Sequence, residues 1–278
     1  MRGTGLRLSV TLLTVIPWRA AGDDAAPGSN PDGGTAPPRA AAGAAMAWAP
    51  AVGLLLGVIA SAVLLLADQP LGAGPLTASG LAVGSLALLT RGLHLDGLAD
   101  LADGLASGKP APAALDIMRR SDIGPLGVVT LVLTLLLQVA ALSQAESAGH
   151  GRGPAALIAA VVTGRLALTW ACRRGVPAAR PDGLGALVAG SVRPVVPAMA
   201  TAVTLAAAAA AVATSAAMAG GQLSWTLPLA VAAGLAVAFA VQRHAVRRLG
   251  GITGDVLGAL AEIATTVTLV VAAMGPRA

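Results

Sequence analysis

The sequence predicts an all-α protein: a polytopic membrane helical bundle of about seven transmembrane helices, with a polar site at its cytoplasmic face. Of its 278 residues, 56% are hydrophobic and 11% are charged, and the mean hydropathy is +0.79. Water-soluble domains normally carry about a quarter charged residues. Several runs are apolar on all sides for longer than a bilayer requires, which disfavours a soluble Ala-rich bundle. A transmembrane β-barrel is also disfavoured, because the sequence shows neither aromatic girdles nor alternating ten-residue strands.

The N-terminal region precedes the first membrane segment. Residues 8–16 are apolar and follow two arginines, a pattern that fits either a cleaved signal peptide or an interfacial, partly inserted helix. Arg19 stands where small residues would form a cleavage site, so the interfacial helix is preferred. Residues 20–45, rich in Gly, Ala, Pro and Asp, predict a flexible loop within a single membrane domain, 1–278.

Seven apolar segments follow, most of them close to the roughly 20 residues needed to cross a bilayer. They are residues 46–67, 71–90, 123–142, 155–172, 195–218, 225–241 and 256–274. Of the 18 Lys and Arg residues, 15 fall in the N-terminal region and in the connections after the second, fourth and sixth segments. By the positive-inside rule we expect those regions, the N-terminus included, to be cytoplasmic in a multi-pass protein.

Most carboxylates lie at the same membrane face as the basic residues. These are Asp96, Asp100, Asp103, Asp116, Asp122, Asp182, Asp255 and Glu262. Because the chain uses few charges and gathers them in three connections, a polar functional site is expected there. The net charge of +5 fits membrane topology and lipid headgroup contact, so nucleic acid is not an expected partner.

The richest stretch is R-G-L-H-L-D-G-L-A-D-L-A-D-G-L, residues 91–105. In a helix, Asp96, Asp100 and Asp103 would lie within about 40° of one another around the axis. Three stacked carboxylates repel unless a cation neutralises them, and oxygen-only ligands favour Mg²⁺ or Mn²⁺ with phosphate oxygens completing the shell. The alternative is a solvated acidic face on a cytoplasmic helix.

Other polar residues lie near this stretch or inside a span. On a continuous helix His94 lies nearly opposite Asp96, so it joins the site only if the chain bends near a flanking glycine, and a structural role is the alternative. Arg165 lies inside the fourth apolar segment, where a charged residue is a functional candidate unless it snorkels or pairs structurally. The compact turn R-P-D-G-L-G-A offers Arg180 and Asp182.

A second stretch, L-D-I-M-R-R-S-D-I-G-P-L-G at residues 115–127, lies at the mouth of the third apolar segment. It places Arg119 and Arg120 beside Asp122. A guanidinium group binds two phosphate oxygens at once, in bidentate fashion. A nearby carboxylate can hold a metal ion or orient the arginine. The alternative is a positively charged membrane anchor.

A third stretch, G-G-I-T-G-D-V-L-G-A-L-A-E, covers residues 250–262. Its glycines allow close backbone approach, and Thr253 can cap a helix whose free N–H groups attract phosphate. Asp255 and Glu262 would share a helical face with Gly258 between them, which leaves room for a ligand or a neighbouring helix.

Together these stretches resemble the cobalamin synthase family, also called adenosylcobinamide-GDP ribazoletransferase. The matching motifs are G-L-H-L-D-G-L-A-D-L-A-D-G-L at 92–105, I-M-R-R-S-D-I-G-P-L-G at 117–127, A-R-P-D-G-L-G at 179–185 and G-G-I-T-G-D-V-L-G-A-L-A-E at 250–262. They occur in family order and span nearly the whole chain, so the set is far more specific than any single motif.

The resemblance implies a multi-pass inner-membrane enzyme that joins adenosylcobinamide-GDP to α-ribazole or α-ribazole 5′-phosphate, releases GMP and needs Mg²⁺. A hydroxyl of the ribazole sugar would attack the phosphorus attached to cobinamide. The expected partners are these two substrates, the lipid bilayer, and either a second copy of the chain or other enzymes of the cobalamin pathway.

With this resemblance, Asp96, Asp100 and Asp103 are expected to hold the metal and, together with Asp122, to form the catalytic group. The expected substrate- and phosphate-binding group is His94, Arg119, Arg120, Arg180, Asp182, Gly251, Thr253, Gly254, Asp255 and Glu262. The alternatives are another metal-dependent membrane phospho- or prenyltransferase, and a transporter. A transporter would place its carboxylates near the bilayer midplane within paired repeats, and no internal repeat is visible in the sequence.

Overall fold

The computed structural model describes residues 2–16, 39–149, 151–219 and 225–274. Within these ranges the chain forms eleven helices and no named strand. They are α1 (Arg2–Leu13), α2 (Arg39–Asp68), α3 (Gly74–Leu89), α4 (Leu93–Ala106), α5 (Ala111–Ile117), α6 (Pro125–Ser147), α7 (Arg152–Ala171), α8 (Gly183–Val188), α9 (Val195–Ala219), α10 (Thr226–Leu249) and α11 (Gly254–Ala273).

Six helices, α2, α6, α7, α9, α10 and α11, are long and apolar enough to cross a membrane. The pair α3 and α4 makes a seventh candidate if it counts as one broken crossing, with a bend of 88° between the two helices. We take α3 as the crossing part and α4, which is bent away from it, as lying outside the crossing. The predicted all-α, multi-pass fold is confirmed, and the segment predicted at 71–90 forms a helix of only 16 residues.

The bend between α3 and α4 is made by two consecutive left-handed residues. Arg91 has φ 54° and Gly92 has φ 66°. The Gly92 N–H donates to Ala87 O at 2.8 Å, which closes the end of α3. A left-handed conformation is unfavourable for arginine and normal for glycine. The bend lets the acidic helix α4 turn away from the direction of α3 and pack against α6 and α11.

Close helix contacts in the core depend on glycine. A Cβ on Gly53 would lie 2.9 Å from Val161 O, and one on Gly57 would lie 3.0 Å from Ile158 Cα. These two glycines of α2 therefore allow close packing against α7 within the chain. The helices α7 and α11 have the largest buried shares among the candidate spans.

The N-terminal predictions are partly corrected by the structure. The helix expected over residues 8–16 is present as α1, which begins at Arg2 and ends at Leu13. The flexible loop expected over residues 20–45 is wrong in its last part, because α2 already begins at Arg39. Alanine-rich sequence favours helix, and Arg39 Nη2 donates to Ala189 O at 2.9 Å. Residues 20–38 of that loop lie outside the described ranges.

Candidate functional site

A cavity of about 310 Å³ lies where α4, the connection before α8 and the start of α11 meet. Residues from three of the predicted motifs line it. The predicted site residues on its walls are His94, Asp96, Arg180, Asp182, Thr253, Gly254 and Asp255. Because the first turn of α4 faces the cavity, His94 and Asp96 both reach it although they lie nearly opposite each other around the helix.

Beside the cavity, the backbone of the connection before α8 lies in close contact with the backbone at the start of α11. Ala178 and Ile252 form an isolated parallel bridge, and the Ala179 N–H donates to Ile252 O at 3.0 Å. A Cβ on Gly251 would collide with the backbone of Ala178 and Ala179, and one on Gly185 would lie 2.6 Å from Ile252 O. The close approach predicted for the glycine-rich turn is therefore found at Gly251. It joins the connection before α8 to the start of α11.

The N-terminus of α11 carries the predicted threonine cap. Thr253 Oγ1 accepts from the Val256 N–H at 3.1 Å and donates to Asp255 Oδ2 at 3.1 Å. Arg180 Nη1 lies 3.8 Å from the same Asp255 oxygen, and Arg180 Nη2 donates to Leu115 O. The Nε of Arg180 is buried and bonds to no residue in the described ranges. A guanidinium and free helical N–H groups thus lie together at one wall, an arrangement that attracts anions.

An exposed ion pair lies at the edge of the cavity. Arg119 Nη2 donates to both carboxylate oxygens of Asp182, at 2.8 and 3.1 Å, while the two side chains are 52% and 65% exposed. The sequence placed both residues in the binding group without pairing them, since they are 63 positions apart. Arg120 and Asp122 are exposed and do not line the cavity.

The carboxylates of α4 concentrate negative charge beside the cavity. Asp96 lines it, and Asp100 lies one turn further along the helix. Burial, together with the negative charges of Asp96, Asp255 and Asp103, raises the pKa of Asp100 to about 7 against the opposing charge of Arg180. Carboxylates that share one field in this way bind a proton or a cation more readily than isolated ones.

Asp103 turns away from the cavity toward the start of α6. Its Oδ2 accepts from the Gly124 N–H at 2.7 Å, and its Oδ1 accepts from the Gly127 N–H at 2.9 Å. A Cβ on either glycine would collide with this carboxylate. Asp103 therefore caps a neighbouring helix that lacks a side-chain cap of its own. The glycines of the G-P-L-G sequence are the signal for this contact that sequence reasoning missed, and a role for Asp103 as a metal ligand stays a prediction.

The carboxylates near the cavity form a partial donor set for Mg²⁺. Across the described ranges, no group of three or more His, Cys, Asp or Glu side chains is arranged to hold a metal ion. Mg²⁺ is usually bound by one or two carboxylates plus substrate phosphates and water, rather than by an all-protein cage. Asp96 and Asp100 provide such a partial set beside the anion-attracting wall. The residues present fit a cation that is bound together with a phosphate-bearing substrate.

A buried polar cluster extends from the cavity wall into the bundle. His94 and Arg165 are each only 2% exposed, and Arg165 Nη2 lies 3.4 Å from His94 Nδ1. Glu262, which was expected to bind substrate, does not line the cavity; it accepts from Gln138 Nε2 at 2.8 Å and interacts with the charge of Arg165. Sequence reasoning missed the pairing of His94 with Arg165, since the two are 71 positions apart on different helices.

Comparison with known proteins agrees with the motifs that form this site. Residues 5–273 match the family described as Cobalamin-5-phosphate synthase. The chain is 44% identical over 276 residues to the adenosylcobinamide-GDP ribazoletransferase of Frankia casuarinae, covering 96% of this chain and 94% of that one. It is 39% identical over 225 residues to the protein of that name from Nocardioides sp., covering 81% and 84% of the two chains. No solved structure matches this sequence. The chain therefore belongs to the Cobalamin-5-phosphate synthase family.

Proposed function

We propose that this protein joins adenosylcobinamide-GDP to α-ribazole or α-ribazole 5′-phosphate and releases GMP. The observation that carries the proposal is the meeting of three distant motifs at one cavity of about 310 Å³. Part of its lining presents carboxylates, and another part presents an arginine and a helix N-terminus. A diphosphate substrate needs both features, because its oxygens bind cations and N–H donors.

The reaction exchanges one oxygen for another at a phosphorus atom. A ribazole hydroxyl oxygen forms a bond to the phosphorus attached to cobinamide, the bond from that phosphorus to the oxygen of GMP breaks, and the hydroxyl loses its proton. Arg180 and the first N–H groups of α11, beginning at Gly254, would bind the phosphate oxygens. Arg119, held by Asp182 at the cavity edge, would bind the more exposed part of the same substrate.

The acidic wall would hold the magnesium ion that we expect this reaction to use. Asp96 and Asp100 would be its protein ligands, with Asp255 nearby. When bound, Mg²⁺ would neutralise the diphosphate and help GMP to leave. Asp103 would fix the far end of α4 through its contact with α6. Asp122 is exposed, so a catalytic role for it requires substrate bound beyond the cavity.

We also propose that the cavity opens on the cytoplasmic side of the inner membrane. The basic residues Arg247 and Arg248 end α10, next to the turn that leads into the site. Arg119 and Arg180 lie at the same end of the bundle, and such accumulation is typical of cytoplasmic segments. Association with a second copy or with other enzymes of the pathway stays a prediction from the sequence.

The test is a reconstituted reaction with purified protein in lipid nanodiscs. Adenosylcobinamide-GDP is supplied with α-ribazole or its 5′-phosphate, with and without Mg²⁺, and both GMP and the cobalamin product are quantified. The variants are Asp96→Asn and Asp100→Asn, and Asp68→Asn at the end of α2 is the matched control. We expect Mg²⁺-dependent product from the native and control proteins and a loss of about 100-fold or more in the two site variants.

Two results would contradict parts of this proposal. Absence of product from well-folded native protein with both acceptors would overturn the reaction. Full Mg²⁺-dependent activity in both site variants would keep the reaction and reject these two carboxylates as metal ligands.

A further inference from the structure

Arg165 is a fully buried arginine in a membrane-spanning helix. It lies in the second half of α7 and is 2% exposed. A charged side chain within a membrane segment is costly, so its presence there indicates a function beyond packing. Its Nη2 lies 3.4 Å from Nδ1 of His94, which lines the cavity. The site and the interior of the bundle are therefore connected through this pair.

The contact fixes where the ring proton of His94 must be. A guanidinium group can only donate hydrogen bonds, so His94 Nδ1 must accept. An accepting Nδ1 carries no proton, so the contact corresponds to a neutral ring. In a neutral imidazole whose Nδ1 accepts, the proton is on Nε2. That nitrogen is buried and has no partner among the described residues.

The position of the ring is also constrained by the backbone. A Cβ on Gly258 of α11 would lie 3.1 Å from His94 Cα, so α4 and α11 are in close contact at this residue. On the other side, Glu262 provides a negative charge near Arg165 and is itself held by Gln138. These contacts hold the arginine beside the histidine. His94 lines the cavity, and its Nε2 keeps no partner among the described residues.

We propose that Arg165 is a positioning residue that keeps His94 as the Nε2–H tautomer, so that His94 donates a hydrogen bond to a phosphate oxygen of the substrate. Arg180 and the N–H groups of α11 line the same cavity, so an oxygen-rich anion suits the donors present. The identity of the acceptor as a substrate phosphate rests on the proposed function. The tautomer of His94 and its dependence on Arg165 are independent of the proposed function.

Nitrogen NMR measures the tautomer directly. The chain has three histidines, His94, His150 and His244, so ¹⁵N-histidine labelling of the full protein in nanodiscs gives few signals. We expect His94 to carry its proton on Nε2, and inorganic pyrophosphate to shift that signal. Two variants test the role of Arg165: the single variant Arg165→Met, and a double variant that also carries Glu262→Gln to remove the buried partner charge. In both, the proton should redistribute toward Nδ1. An Nδ1–H signal in the native protein, or an unchanged tautomer in both variants, overturns the proposal.

Kinetics provide a second readout that general destabilisation would not mimic. The glutamine amide can reach the position of Nε2, whereas the shorter asparagine amide reaches only that of Nδ1. We expect kcat/KM to fall about 100-fold in His94→Asn, and clearly less in His94→Gln. Arg165→Met should lower kcat/KM about 10- to 100-fold, as loss of an orienting partner does elsewhere, with partial recovery in Arg165→Lys. The control is Arg173→Met, just after the end of α7 and outside the cavity, and it should leave kcat/KM unchanged.

The two proposals fail in distinguishable ways. An inactive native protein that still shows the Nε2–H signal and its response to pyrophosphate would contradict the proposed reaction and support this inference. An active native protein in which His94→Asn and His94→Gln lose activity equally would contradict the inference and support the reaction.

Discussion

The contact between α4 and α11 at Gly97 leads to the sharpest prediction. A Cβ on Gly97 would lie 2.7 Å from Asp255 O and 2.8 Å from Asp255 Cα. Both are backbone atoms at the first turn of α11 and cannot rotate aside. Ordinary contact begins at 3.4 Å, so in Gly97→Ala the two helices must separate by the difference of 0.7 Å.

This displacement has two consequences of known size. Overpacking of this kind typically costs about 1–3 kcal/mol of folding free energy. It also moves the carboxylates of α4 away from the anion-attracting wall at α11, and a misplacement of about 1 Å can cost about 100-fold in rate. We expect Gly97→Ala to lower kcat/KM by about 10- to 100-fold. Gly258→Ala should have a smaller effect, since its Cβ would lie 3.1 Å from the nearest atom.

The assay combines GMP release with thermal unfolding followed by tryptophan fluorescence in nanodiscs. Gly84→Ala on α3 is the matched control, because a Cβ there would meet nothing within 4 Å. The control should keep native activity and stability. If Gly97→Ala proves as active and as stable as Gly84→Ala, the close contact does not position the site.

Three further predictions address single side chains. Asp103→Ala should destabilise the protein by about 0.5–2 kcal/mol through loss of the α6 cap, whereas normal stability with loss of Mg²⁺-dependent activity would identify Asp103 as a metal ligand instead. The pKa of Asp100, raised to about 7, means that the folded state binds this proton more tightly than the unfolded state, so stability falls as the pH rises from about 4 through about 7. Mg²⁺ should therefore raise the melting temperature more at pH 8 than at pH 6, and Asp100→Asn should remove that difference; equal shifts at both pH values would argue against the carboxylate site. Arg119→Gln should change stability by less than about 1 kcal/mol because its pair with Asp182 is exposed, yet raise KM for adenosylcobinamide-GDP, and an unchanged KM would remove Arg119 from the substrate site.

Much of the fold could be predicted because hydropathy reports the cost of placing polar groups in lipid. Each predicted crossing corresponds to a helix, although the ends differ by several residues. The sharp bend at Arg91 and Gly92 was not predicted as such, because it depends on backbone conformation and not on apolar length. The early start of α2 at Arg39 was missed because composition alone does not show the contact with Ala189.

The sequence predicted which residues belong to the candidate site better than which of them contact one another. Local chemistry identified Thr253 as a helix cap, since that cap depends on neighbouring residues. The glycine-rich sequence also marked Gly251 as a point of close approach, but not its partners Ala178 and Ala179. The pairs Arg119–Asp182 and His94–Arg165 join segments that are far apart in the chain. Sequence periodicity reports only local structure, so it could not predict these pairs. Asp103 shares a helix with the other two carboxylates, but contact with α6 decides its direction.

The glycine contacts at α4 and α11 also determine which part of the protein can adapt to a large substrate. With their backbones in contact at two places, these helices cannot slide or separate without losing native packing, so they form a rigid wall. The lining also includes the connection before α8, which an exposed ion pair links to the residues after α5, and such segments open at low energetic cost. Under the proposed function, acceptors of different size would therefore be accommodated by movement of the connections, while α4 and α11 keep their relative position.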